Sequence, residues 1–396
     1  MSGIKNAFKR LCKFAAFKIV YPAVYHACCL RKREEGLVLF CEVRHGFLTD
    51  SYRAIYDGLN ERGVPTEVFY IHNNSGGLSY LARYLRLCTQ LPRAETVLVD
   101  DTCNLFGAFR LRHGTKLIQT WHSCGAFKKW GYSIAGLSFG QDPEELDKYP
   151  AHTNYTLVTV SSEECIPHFE EAFGFTPPSC VKAVGVARTD WFFDENNCRN
   201  AYERLYEVCP AARGKKTVLY APTYRGDADN AQPPKMFDIE KMARRWGECV
   251  LLIKQHGFVN TKTAIPESCR GFAFDVSQDM KIEELLCVSD VCITDYSSLI
   301  FEYSLFERPM VFYAYDLDEF YDYRGFYYKY DRDFLPGDIV KTEAELAESV
   351  ARALEQGCDT AEVRRFRERF MGACDGKSAE RIISYITDNN DNDITI

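Results

Sequence analysis

Two histidines stand where their neighbours make them chemically useful. His122 lies in Gln119-Thr120-Trp121-His122-Ser123-Cys124-Gly125, with Lys128 and Lys129 just beyond. An apolar run ends immediately before it, and in open parallel sheets the carboxyl ends of strands line the ligand crevice. Histidine is the side chain best suited to proton transfer near neutral pH. Gly125 allows close approach of backbone to a ligand, and the two lysines add positive charge suited to an acceptor. His256 has the same kind of place in Lys254-Gln255-His256-Gly257. Each could equally be a core histidine bonded to a carbonyl. Two at corresponding strand ends of two domains would face each other across a cleft, which favours function for both.

A third group is Ile293-Thr294-Asp295-Tyr296-Ser297-Ser298, leading into Leu299–Phe306. A strand, a hydroxyl-rich turn and a helix start can hold a phosphate through N–H groups, the helix dipole and serine hydroxyls. The plainer reading makes Ser297 or Ser298 an N-cap. Glu302, one turn on, could accept hydroxyl hydrogens from a ribose. In Ala221-Pro222-Thr223-Tyr224-Arg225, Arg225 offers a bidentate phosphate contact or a surface ion pair. Gly185–Asp190 ends the first unit, and Arg324 beyond Tyr315 and Asp316 is a further phosphate or acceptor candidate. There is no Gly-x-Gly-x-x-Gly fingerprint and no Walker A sequence. Asp100-Asp101 reads as a loop end. Neither a metal nor a cofactor is expected.

The elements that must carry these residues alternate. Apolar runs at Leu37–Cys41, Glu67–Ile71, Val97–Val99, Lys116–Thr120, Tyr155–Val160 and Val181–Val186 are separated by helical spacing such as Asp50–Arg62 and Glu163–Phe173. A second set follows at Val218–Ala221, Val250–Lys254, Phe272–Phe274, Val291–Thr294 and Met310–Tyr313. This pattern predicts an α/β protein with mostly parallel sheets in two Rossmann-like domains. The expected boundaries are 1–35 for a basic segment, 36–205 for an acceptor domain and 206–396 for a donor domain with C-terminal helices. At 396 residues there is ample chain for two cores.

Composition narrows the function. The net charge of −8 argues against a broad nucleic-acid-binding face, and no nucleic-acid partner is expected. The 17 cysteines are odd in number and irregularly spaced, which reads as free thiols in a reducing compartment. Met1–Arg33 holds no Asp or Glu but eight Lys or Arg, interleaved with Phe8, Leu11, Phe14 and Phe17. Lys13 and Lys18 interrupt any apolar span long enough to cross a bilayer. The segment predicts an amphipathic helix on an anionic membrane surface, ended or kinked at Pro22, with packing on the protein body as the alternative.

Taken in order, Gln119–Gly131, Gly185–Asp190, Leu219–Arg225, Lys254–His256, Asp275–Ser277, Ile293–Pro309 and Tyr315–Tyr327 resemble the CDP-glycerol glycerophosphotransferase family of teichoic-acid synthesis. The resemblance implies a GT-B fold and peripheral attachment at the cytoplasmic face of the cell membrane. It also implies a CDP-glycerol or other CDP-polyol donor, CMP as product, and a lipid-linked or polymeric envelope acceptor. It makes His122 the catalytic base and His256 the histidine near the donor phosphates, with Thr223, Arg225, Thr294, Asp295, Ser297, Ser298, Glu302 and Arg324 around the donor and Lys128 and Lys129 toward the acceptor. The family often has Gly-Thr-Pro after the first histidine and Leu-His-Pro at the second, whereas this chain has Ser123-Cys124-Gly125-Ala126 and Gln255-His256-Gly257. The rival reading is a GT-B glycosyltransferase that takes a nucleotide sugar and releases a nucleoside diphosphate.

Overall fold

Strands rich in Val, Leu, Ile and Cys alternate with amphipathic helices, and the chain answers with two sheets whose strands are all parallel. The structure is a computed structural model. It describes residues 2–71, 78–137, 140–226 and 230–388, leaving aside the side chains of 2–6, 78 and 321–324. In the first sheet the strands are β1 (Val38–Glu42), β2 (Thr66–Tyr70), β3 (Thr96–Val99), β4 (Lys116–Gln119), β5 (Leu157–Thr159) and β6 (Val181–Lys182), in the order β2-β1-β3-β4-β5-β6. In the second they are β7 (Lys216–Tyr220), β8 (Cys249–Ile253), β9 (Ala273–Asp275), β10 (Val291–Thr294), β11 (Met310–Tyr313) and β12 (Asp338–Val340), in the order β12-β11-β10-β7-β8-β9. Each sheet therefore reverses its winding once, at β1/β3 and at β7/β10. Open α/β sheets bind their ligands at such switch points.

The units do not divide where the sequence pattern places the boundaries. The first contains Met1–Ser123, Trp130–Asp190 and Ala373–Ile396; the second contains Cys124–Lys129 and Trp191–Gly372. Two contacts explain the correction. Ile382 and Ile383 of the last helix, Ser378–Thr387, share a core with Val38, Phe40, Ile55 and Leu59 of the first unit. Asp190 caps that helix, accepting from Ser378 N at 3.1 Å and Ala379 N at 2.7 Å. Gly185 (φ +88°) makes room for this helix start, because a Cβ there would lie 2.2 Å from Ser378 Oγ. The C-terminal helices are interrupted at Gly372, where the chain leaves the second unit. The edge strand β12 lacks an apolar run and is not expected from the sequence. All 17 cysteines are unbridged.

At the amino end, helix Ser2–Ala15 passes through a π-turn, Ala16–Val20, into helix Tyr21–Cys28. Pro22 neither ends nor breaks the run: it sits in the first turn of the later helix, and the wider π-turn absorbs the backbone bonds a proline cannot make. Phe17, Tyr21 and Tyr25 are buried in the first unit, with Phe17 edge-on to Tyr21 and Tyr149 at 5.2 and 5.7 Å. Phe8, Leu11, Phe14 and Ile19 are exposed. Phe17 thus belongs to the core rather than to the outward apolar face.

Candidate active site

In the first unit the switch-point strands end in acids. Glu42, the last residue of β1, is fully buried, and its carboxylate accepts from His45 N and Thr49 N, both at 3.3 Å. This pins the loop that carries Arg44, whose guanidinium pairs with Asp101 just beyond β3. Asp101 also accepts from Thr102 N at 2.6 Å. The neighbouring Asp100 receives a bond from Thr49 Oγ1 at 3.2 Å, while its Oδ1 is buried without a partner among the described residues. Burial first, then Glu42 and Asp101, push its carboxyl up to about 8. Asp100-Asp101 is therefore more than a loop end: it forms the floor under His122.

His122 follows β4 by way of Trp121, a non-glycine residue in the left-handed region (φ +54°). Such a conformation costs about 1–3 kcal/mol and persists only where its surroundings fix it. Here Trp121 N donates to Gln119 Oε1 at 3.0 Å, and its ring packs edge-on to Phe169 and Phe173 at 5.8 and 5.4 Å. Gln119 is anchored in turn, donating to the Asp101 carbonyl at 3.2 Å. The bend turns the imidazole so that Nδ1 lies 3.0 Å from the Asp100 carbonyl oxygen. A carbonyl only accepts, so Nδ1 carries the hydrogen and the lone pair is on Nε2. The side chain is 36% exposed. Burial lowers its pKa below the usual 6.5, Asp101 and the Asp100 carbonyl oppose that shift, and Arg44 and Arg188 reinforce it. A neutral imidazole held in this way, with a lone pair on Nε2, is able to accept a proton. By contrast His152 is buried and stacked on Phe173 at 3.7 Å, its pKa pushed down to about 3 by desolvation, and it plays a packing role.

Within the second unit, β7 and β10 are laced together beyond their ends. Thr294 Oγ1 donates to the Ala221 carbonyl at 2.7 Å, and Thr223 N donates to Asp295 Oδ1 at 2.8 Å. Arg225 is already engaged: it reaches Asp316 through Nε at 2.6 Å, Asp295 through Nη2 at 2.9 Å and the Thr223 carbonyl through Nη1 at 2.7 Å. Its guanidinium also lies over Tyr296 and Phe320 at 5.3 and 5.4 Å. Arg225, Thr294 and Asp295 are thus bound to one another and to their neighbours, and frame the strand ends of β7 and β10. Thr223 is different, since its Oγ1 is buried and unpartnered among the described residues.

The serine turn joins β10 to helix Leu299–Ser304. Ser297 Oγ accepts from Leu299 N at 3.4 Å, and Ser298, the residue before helix Leu299–Ser304, makes no capping bond with its side chain. The N-cap reading therefore does not account for Ser298. Glu302 lies one turn into that helix and is 4% exposed. His256, after β8, is exposed, its ring near Tyr224 and Phe258 at 4.7 and 4.9 Å. Its Nδ1 accepts from Phe258 N at 3.2 Å, so its hydrogen is on Nε2, the opposite tautomer to His122.

Lys128 and Lys129 belong to the second unit, not the first. Lys128 forms an isolated antiparallel bridge with Phe326, and Lys129 N donates to the Gly325 carbonyl at 3.2 Å. Phe127 stacks on Phe326 at 5.1 Å. Gly125 (φ +65°) serves this docking rather than a ligand, because a Cβ there would lie 2.3 Å from the Phe301 ring. The side chain of Arg324 lies outside the described residues. Among the described residues no group of His, Cys, Asp and Glu is arranged to hold a metal.

A family profile described as CDP-glycerol:poly(glycerophosphate) glycerophosphotransferase matches residues 23–388. The teichoic acid ribitol-phosphate primase of Bacillus spizizenii is 32% identical over 88% of this chain and 90% of its own. The teichoic acid poly(ribitol-phosphate) polymerase of the same organism is 34% identical over 86% of this chain, which spans 54% of that longer protein. The teichoic acid glycerol-phosphate primase of Bacillus subtilis is 28% identical over 74% of this chain and 73% of its own. Among solved structures, the wall teichoic acid polymerase TagF aligns with a TM-score of 0.69 and 23% identity over 92% of both chains, a likeness of fold.

Proposed function

Since this chain belongs to the CDP-glycerol:poly(glycerophosphate) glycerophosphotransferase family, we propose that it is a GT-B transferase moving a polyol phosphate from a CDP-linked donor to a hydroxyl of a teichoic-acid-type acceptor, with release of CMP. The observation that carries the reading is the pair of opposite tautomers at two strand ends, a lone pair on His122 Nε2 and a hydrogen on His256 Nε2. The acceptor hydroxyl gives its proton to His122 Nε2 as its oxygen attacks the phosphorus bearing the polyol. The bond from that phosphorus to the bridging oxygen breaks, and CMP leaves with the electron pair. His256 Nε2–H, with the hydroxyls of Thr223, Ser297 and Ser298, steadies the growing charge on the phosphates, and Glu302 takes the ribose hydroxyls.

Ribitol phosphate is the favoured cargo, because the two relatives above 30% identity described here are ribitol-phosphate enzymes and the glycerol-phosphate primase is more distant. Incubation with CDP-ribitol and with CDP-glycerol should release CMP from both, with the higher kcat/KM for CDP-ribitol. Release of a nucleoside diphosphate from a nucleotide sugar, and no CMP from either CDP-polyol, would instead establish the glycosyltransferase reading.

The acceptor is lipid-linked and met at the membrane surface. No helix among the described residues is long and apolar enough to cross a membrane. What supports surface contact is the exposed row Phe8, Leu11 and Phe14 beside Lys9, Arg10 and Lys13. Because Phe17, Tyr21 and Tyr25 are core residues, deletion of 1–33 would open the first unit. The cleaner variant is Phe8→Ser with Leu11→Ser and Phe14→Ser. Flotation with anionic vesicles should be lost while the thermal midpoint and activity on a soluble acceptor stay unchanged. A triple variant that floats as well as the parent rules out this face as the anchor.

A further inference from the structure

We infer that Asp101 and Arg44 act as an opposed pair of positioning residues that sets the basicity of His122 from beneath, the carboxylate raising it and the guanidinium lowering it. This rests on the base role proposed for His122. Asp101 Oδ2 lies 3.8 Å from His122 Nδ1, beyond hydrogen-bond reach in the resting state, since Nδ1 already donates to the Asp100 carbonyl at 3.0 Å. The main-chain bond orients the ring, and the carboxylate therefore acts through charge. When Nε2 takes the acceptor's proton the ring becomes a cation, and a carboxylate less than 4 Å away with only 7% of its side chain exposed stabilises it.

Arg44 opposes this. Its guanidinium pairs with the same Asp101 oxygen and partly neutralises it. The pairing is built in rather than incidental: buried Glu42 holds the Arg44 loop through His45 N and Thr49 N, and Gln119 ties the Asp101 backbone to the bend that presents His122. Among the described residues the other titratable groups facing His122 are Arg188, which donates to the His122 carbonyl at 2.6 Å, and Asp100, whose own carboxyl accepts from Thr49 and is pushed up by burial. Burial alone would leave the imidazole a poor proton acceptor; the carboxylate opposes that and the guanidinium limits how far.

The two members give shifts of opposite sign, which a merely structural role does not. Asp101→Asn keeps the oxygen that accepts from Thr102 N but removes the charge, and should move the acid limb of the kcat/KM profile down by about 0.5 to 1 pH unit. Arg44→Gln, at a half-exposed side chain, should move the limb up, and the double variant should return it toward the parent value. Histidine NMR on the same proteins, following the His122 ring directly, should show the same three shifts without reference to turnover, with the thermal midpoint as the check on folding. If both single variants leave the His122 titration in place, or both move it the same way, the inference fails. If the NMR shifts appear while the kcat/KM limb stays fixed, the pair tunes His122 but His122 is not the base, and the functional reading fails instead.

Discussion

His122→Ala should lower kcat by about two to four orders of magnitude on a soluble acceptor, the range associated with general bases. The fold should survive. The side chain is 36% exposed and, among the described residues, makes one hydrogen bond, to the Asp100 carbonyl, while the bend beneath it is held by Trp121 and Gln119 rather than by the imidazole. His122→Asn is the sharper variant, because its amide can still donate to that carbonyl but offers no basic nitrogen where Nε2 stood. It should be as inactive as the alanine protein and as stable as the parent. The pH dependence has a defined sign. The base works when deprotonated and its pKa lies below the usual 6.5, so activity is full at neutral pH and falls as pH drops through that lowered value. In the His122 variants that acid limb should disappear along with the rate. A stable, fully active His122→Asn protein would overturn the mechanism.

The strand-end placement of both histidines was legible in the chain because apolar runs announce buried parallel strands, and strands point their carboxyl ends at the crevice. The serine turn was legible for the same reason. What local pattern could not supply was pairing at a distance. Arg225 looked like a phosphate ligand because its partner Asp316 lies on another strand end, 91 residues along the chain. Glu42 and Arg44 went unremarked, and Asp101 read only as part of a loop end, because their relation exists only once β1 and β3 lie side by side, although acids and a base at adjacent strand ends are a usable signal when strand order is known. The unit boundaries were misplaced because helix Ser378–Thr387 reads as a continuation of the donor domain, whereas its cap is Asp190, 188 and 189 residues earlier. Trp121 carried no signal, since the sequence gives no hint that a tryptophan must adopt a left-handed backbone to aim the residue after it.

His256 should separate from His122 by the kind of defect it produces. Its Nδ1 accepts from Phe258 N, so Nε2 carries a hydrogen whether the ring is neutral or protonated. A group that donates in both states stabilises charge on the donor phosphates across the neutral range and is not the residue whose titration limits the rate. His256→Ala should cut kcat by about 10²–10³, the loss associated with removing one preorganised donor to a developing anion. His256→Gln carries an N–H at about the reach of Nε2 and should recover part of that loss, whereas a base could not be replaced in this way. The acid limb of the pH profile should stay where it is in both proteins, because His122 is untouched. The exposed ring, with Tyr224 and Phe258 beside it, carries little of the packing, so thermal midpoints should move by only a degree or two, as for an exposed substitution. An unchanged kcat in His256→Ala would remove this histidine from the reaction. A His256→Gln protein no better than alanine, with an acid limb displaced in both, would mean that His256 and not His122 handles the proton.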